Sequence, residues 1–281
     1  IVAKIKEWHQ AAPDLTEVAT YGESSDGTKI WYIRVTNKLS LDDSMQVKFR
    51  GYHSWDDQTK KYMARNHNAR KVVLITASIH GNEPWSTGCL MAYVGNMLKS
   101  YGQDEAITEL INTRDIYFVP VVSPDSYPHS RHVDGVDPNR NFPGPRSTRR
   151  SVPPVQAVQD LFNKIKPNAV ISGHTHGRVY LYPRGDSTTP SPNDADFKKI
   201  VGEMSRLSSY RLQGACEMYN RPIFGTEVDW YYRGGTFAII MEFGTHQRKP
   251  SLKDIRSEFD RTYKAVLHFI AKAPDVQIIR D

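Results

Sequence analysis

The sequence predicts an α/β fold on a mainly parallel sheet, and three observations carry that expectation. Lys71 to Ile79 is a continuous aliphatic and β-branched run, the pattern of a strand buried on both faces. A helix-length segment, Glu83 to Lys99, follows it, and a second apolar strand, Asp115 to Val122, comes after a short helix near Glu105 to Ile111. Strand, helix, strand is the grammar of a parallel sheet covered by helices. With 281 residues, 39% of them hydrophobic and 24% charged, the chain can bury one sizeable core, so a single domain over 1–281 is expected.

The remaining elements follow in chain order. Ile1 to Ala12 reads as an amphipathic helix stopped by Pro13. Glu17 to Tyr21 and Lys29 to Thr36 alternate as strands around a Ser-Ser-Asp-Gly turn, which predicts a hairpin. Asn37 to Arg70 is polar, lacks periodicity and is expected to be a loop or insertion. Ser123 to Pro154, rich in Pro, Gly, Asn, Asp and Arg, is expected to be a long surface loop, and loops of that length are often functional. Beyond it come a helix at Val155 to Ile165, a strand at Ala169 to Ser172, a segment at Val179 to Tyr182 that continues or pairs with that strand, and a helix at Asp194 to Leu207. A buried strand at Gly235 to Glu242 and an amphipathic helix at Leu252 to Ala271 close the chain, with no internal repeat and no linker.

Composition excludes several classes. No apolar run reaches the roughly 18 residues of a membrane span. The net charge of +6 is spread along the chain, and its densest cluster, Arg146 to Arg150, lies in a Pro/Ser/Thr-rich loop without aromatic platforms, so no nucleic-acid partner is expected. Cys89 and Cys216 make neither a disulfide framework nor a spaced metal motif, which leaves one long-range disulfide open. A start at Ile1 leads to the expectation that an upstream signal or pro-segment has been removed, and hence of a secreted or periplasmic location.

The chemistry-bearing residues gather at predicted strand ends. His80-Gly-Asn-Glu83 follows the first buried strand, where open α/β sheets place ligands, and an imidazole and a carboxylate at this spacing can reach one zinc ion. His174-Thr-His176 follows the Ala169 strand, and either histidine could supply a third ligand, leaving an open position for water as catalytic zinc requires. Glu242 ends the third buried strand, where a carboxylate is costly unless it serves a polar site; beside a zinc-bound water it would be a general base. In Asp137-Pro-Asn-Arg-Asn-Phe142 an amide and a guanidinium fork, Asn139 and Arg140, stand side by side, suited to gripping a carboxylate.

These motifs, together with Tyr21-Gly-Glu-Ser-Ser-Asp-Gly-Thr-Lys, Ser123-Pro-Asp125, Tyr182-Pro-Arg-Gly185 and Asp229-Trp230, occur in the order found in the funnelin zinc carboxypeptidases, and the chain resembles that family nearly end to end. The resemblance implies an α/β/α sandwich around a central mixed, mainly parallel, twisted sheet. It implies one Zn2+ ion held by His80, Glu83 and His174, with His176 at a pocket-lining position, and Glu242 as general base. It implies that Asn139 and Arg140 bind the terminal carboxylate of the substrate and that an arginine of the preceding loop stabilises the oxyanion. Arg131 is the candidate for that arginine, with Arg146 as substitute. Tyr219 is nearest the position of the family's mobile capping tyrosine. The side-chain preference falls on Val228, whose neighbour Glu227 could instead offer a charge.

The activity implied is hydrolysis of the peptide bond next to a free C-terminal carboxylate through a zinc-activated water, by a monomer acting on a peptide or peptide-like substrate. Two rivals keep the metal site: amidohydrolases of N-acyl amino acids and enzymes of cell-wall peptides. A third is a non-catalytic binding module on the same fold.

Overall fold

A computed structural model describes residues 1–38, 70–146, 150–246 and 249–279. Most of the expected Asn37 to Arg70 insertion, and 147–149 of the basic cluster, lie outside the described residues. Helix α1 (Val2–Ala11) ends before Pro13, and β1 (Thr16–Glu23) with β2 (Lys29–Val35) form the expected antiparallel hairpin. Next come β3 (Lys71–Ala77), α2 (Pro84–Ser100), α3 (Glu105–Thr113), β4 (Arg114–Val119), α4 (Pro153–Ile165), β5 (Ala169–Thr175) and β6 (Val179–Tyr182). The chain then runs through α5 (Asp194–Ser208), β7 (Arg211–Gly214), α6 (Ala215–Tyr219), α7 (Glu227–Arg233), β8 (Phe237–Phe243) and α8 (Leu252–Lys272).

The strands form one eight-stranded sheet in the order β1-β2-β4-β3-β5-β8-β6-β7. The central β4, β3, β5 and β8 run parallel, and antiparallel pairing occurs at β1/β2, β2/β4 and β6/β8. This is the mixed, mainly parallel sheet expected, and its strands alternate sides residue by residue. Val73, Ile75, Ile171, Ile239 and Met241 face one apolar layer with side chains from α2, α5 and α8. Leu74, Val170, Ala238 and Ile240 face the other, with side chains from α4 and α7. Each large aliphatic or aromatic side chain so buried contributes about 1.5–3 kcal/mol, so the two layers fix the strand ends between them.

Several expectations are corrected. Strand β4 stops at Val119 because Pro120 has no N–H to continue the ladder. Strand β5 continues through Thr175, so His174 sits within it; the polar Ser172-Gly-His-Thr sequence hides a strand buried at every position. The Val179–Tyr182 strand pairs with β8 and β7, not with β5. The Ser123 to Pro154 loop is not confined to the surface: Val133, Asn139, Asn141 and Phe142 are buried, and Pro153 opens α4. Cys89 and Cys216 are both buried and free, so the long-range disulfide does not form. Among the described residues no helix is long and apolar enough to cross a membrane.

Candidate active site

The site forms where β3, β5 and β8 end together. His80 leaves β3 through a tight turn in which Gly81 is required, since a Cβ there would lie 2.3 Å from the Ser126 carbonyl carbon. Glu83 is the residue preceding Pro84 at the start of α2, and its carbonyl oxygen accepts from the Ser78 and Ser86 hydroxyls at 3.1 and 2.8 Å. In the parallel register His174 of β5 stands opposite Glu242 of β8. Gly173 lets β5 pass close to α2, because a Cβ there would meet Ser86 Cβ at 2.9 Å and Thr76 O at 3.1 Å.

Ligand atoms of His80, Glu83 and His174, all buried, lie within 4.8 Å of one another. Glu83 Oε1 is 2.9 Å from His80 Nδ1, Oε2 is 3.0 Å from His174 Nδ1, and the Thr175 N–H donates to Oε2 at 3.1 Å. Two imidazole nitrogens and a carboxylate converging from three directions fit zinc, which takes N and O donors and in catalytic sites keeps three protein ligands. Each histidine also meets a carboxylate at its other nitrogen: His80 Nε2 donates to Asp137 Oδ1 at 2.9 Å and His174 Nε2 to Glu227 Oε1 at 2.6 Å. The pairing of these two carboxylates with the histidines had no sequence signal, because each stands far along the chain from the ring it meets.

The electrostatics follow from burial and charge. Burial alone would raise the Glu83 pKa, yet His174 and His80 outweigh it and hold the carboxyl near 2. Burial disfavours a charged His174, but Glu83 and Glu227 raise its pKa well above the ordinary imidazole value. Asp137 behaves like Glu83: burial raises its pKa, while His80 and Arg131 depress it below the usual carboxylate range. Glu242 is the exception. Burial, reinforced by the charge of Glu83 and only partly opposed by His174, His80 and Arg131, pushes its carboxyl up to about 7. Its Oε2 is sealed from solvent and has no hydrogen-bond partner among the described residues.

One cavity of about 160 Å³, roomy enough for several waters at roughly 30 Å³ each, is bordered by the metal triad and Glu242 and also by Arg131, Asn139, Arg140, His176, Tyr219 and Val228. Arg131 grips Asp137 Oδ2 through Nε and a terminal nitrogen at 3.1 and 2.9 Å and lies 3.6 Å from Glu83 Oε1. Arg146, its substitute candidate, instead stacks over Phe224 at 4.9 Å and does not line the cavity. Arg140 donates to the Asn139 carbonyl oxygen at 2.6 Å and stacks against the exposed Tyr219 at 5.5 Å. Glu227 is the correction: it is 1% exposed, faces His174 and does not line the cavity, so it offers no charge to a substrate side chain. Val228 beside it does line the wall.

Comparison with known proteins agrees with this geometry. Residues 1–265 match the family model described as zinc carboxypeptidase. The chain is 28% identical over 204 residues to carboxypeptidase A2 of Rattus norvegicus, a match covering 58% of this chain and 48% of that protein. It is 23% identical over 298 residues to carboxypeptidase D of Homo sapiens, covering 92% of this chain and 20% of that protein. The chain thus spans about half or less of the length of these relatives. Its fold matches the crystal structure of thrombin activatable fibrinolysis inhibitor with a TM-score of 0.80 at 19% identity, over 98% of this chain and 73% of that one. With the family's pattern running over 1–265 and the His-Glu-His cluster formed at the sheet's edge, the chain belongs to the zinc carboxypeptidase family.

Proposed function

We propose that this chain is a zinc-dependent carboxypeptidase that hydrolyses the peptide bond next to a free C-terminal carboxylate. The observation that carries the reading is the shared cavity: a guanidinium and an amide suited to a carboxylate, Arg140 and Asn139, border the same space as the metal triad and the elevated carboxyl of Glu242. His80, Glu83 and His174 would hold the zinc ion, which would supply Lewis acidity and lower the pKa of a water there to about 7. Glu242 accepts a proton from the attacking water and returns it to the leaving amine nitrogen. Arg131 presents positive charge to the carbonyl oxygen as it becomes an oxyanion, a contribution typically worth about 3 kcal/mol. Arg140 and Asn139 hold the terminal carboxylate, and Tyr219, stacked on Arg140, covers it.

Leu181, Met218, Ile223, Val228 and Ile240 make the rest of the wall largely apolar, which favours an apolar terminal side chain, and His176 adds a polar edge. A monomeric enzyme with a single catalytic domain over 1–281 belongs to the same proposal and is tested by size-exclusion chromatography with light scattering. A secreted or periplasmic place of action belongs to the same proposal and is tested by fractionating producing cells. The matched relatives are named carboxypeptidases, so the acyl-amino-acid and cell-wall readings are the less favoured. Hydrolysis of blocked dipeptides, acyl-aspartates and muropeptides, compared side by side, separates them. Cleavage fastest on blocked dipeptides ending in Phe or Leu is expected; a preference for either other class would overturn the reading.

A further inference from the structure

Glu227 is the first residue of α7 and is 1% exposed, a costly place for a carboxylate unless it is paired. Its Oε1 accepts from Nε2 of His174 at 2.6 Å, while Nδ1 of the same ring faces Glu83. Its backbone N–H donates to Asn139 Oδ1 at 2.9 Å, and the Asn139 amide nitrogen lies 3.5 Å from the same His174 Nε2. The helix that carries it is itself tied down: Asp229, two residues on, accepts from the Gly185 N–H at 2.8 Å and from the Thr226 hydroxyl at 2.9 Å. Glu227 therefore reaches His174 from a fixed support rather than from a mobile loop.

An imidazole whose Nε2–H donates to a fixed carboxylate is confined to one tautomer and one ring orientation, with Nδ1 free to ligate. His80 receives the same service from Asp137, a residue of the loop that bears the carboxylate anchor. For His174 the partner comes instead from α7, whose next residue, Val228, forms the wall of the cavity.

We propose that Glu227 is a positioning residue: it fixes the tautomer and tilt of the His174 ring and, through Asn139, ties that ring to the group that anchors the substrate carboxylate. This rests on the reading of the triad as a zinc site, and the wild-type arm of the experiment tests that reading separately. Zinc affinity is measured on the full chain by competition with a chromophoric chelator, for wild type, Glu227→Ala and Glu227→Gln, with thermal unfolding of each metal-free protein as a control. Outer carboxylates on metal-bound histidines are worth 10- to 100-fold in affinity, so Glu227→Ala is expected to lose that much. Glu227→Gln keeps an acceptor oxygen at the same reach and is expected to fall between Ala and wild type. Folded variants that bind zinc within twofold of wild type would overturn the proposal, including the case in which only the metal-free unfolding temperature moves, as a purely structural role demands. If Glu227→Ala does not fold, Glu227→Gln decides on the same threshold: several-fold weaker binding supports the proposal and unchanged binding overturns it. A wild type that binds no zinc overturns the functional reading and this one together, whereas normal wild-type binding with unaffected variants overturns this one alone.

Discussion

At the residue scale the account turns on Glu242. A general base must be ionised to accept a proton, so activity is expected to rise with pH through the titration of this carboxyl; burial raises it to about 7 in the metal-free site, and a bound zinc ion would lower it from there. Glu242→Gln should cut kcat/KM by more than about a thousandfold while zinc stays stoichiometric, a combination read by assay and metal analysis. The same burial affects stability. Below the unfolded value of 4.5 both states hold the proton; between that value and about 7 only the folded state keeps it, so stability falls as pH rises through this window. Glu242→Gln removes that cost and should raise the unfolding temperature of the chelator-treated protein at pH 7.5, by the equivalent of about 1–3 kcal/mol. An unchanged or lower unfolding temperature would count against the desolvated carboxylate. Glu242 was legible because a carboxylate ends an otherwise apolar strand. The roles of Asp137 and Glu227 were not, since their partnerships with His80 and His174 span 57 and 53 positions and leave no local pattern.

At the element scale the site depends on how far β5 extends. Periodicity reads a strand only as long as its residues are apolar, and Ser172-Gly-His-Thr looks like its end; the ladder to β8 carries it on to Thr175. Gly173 is the hinge of that extension, packed against Ser86 and the Thr76 carbonyl. Gly173→Ala must push β5 away from α2, and it is expected to cost about 1–3 kcal/mol of stability and to weaken zinc binding, because His174 is its neighbour. Denaturant unfolding and the chelator competition read the two effects; a variant with wild-type values in both would contradict the close packing. The short β7, α6 and α7 were missed for a related reason. They run four to seven residues without the unbroken apolar pattern that marks the equally short β6, and tertiary contacts decide their form.

At the scale of the whole molecule the parallel strands were legible because burial on two faces imposes continuous apolar runs, the hairpin because its strands alternate around a Ser-Ser-Asp-Gly turn, and the long helices because one face of each is apolar. Which strands neighbour one another was not, as the pairing of β6 with β8 rather than β5 illustrates. That arrangement brings residues of β5 and β8, the segment that follows β3 and the 131–140 loop to one cavity, which is proposed to recognise a peptide's free carboxyl end and to cleave the bond before it. The most direct measurement compares a blocked dipeptide ending in phenylalanine with the same peptide capped as its C-terminal amide, each with and without a zinc chelator. Rapid, chelator-sensitive hydrolysis of the free acid and at least a hundredfold slower cleavage of the amide are expected, since Arg140 loses its charged partner. Equal rates on the two peptides, or activity that survives removal of zinc, would contradict the proposal.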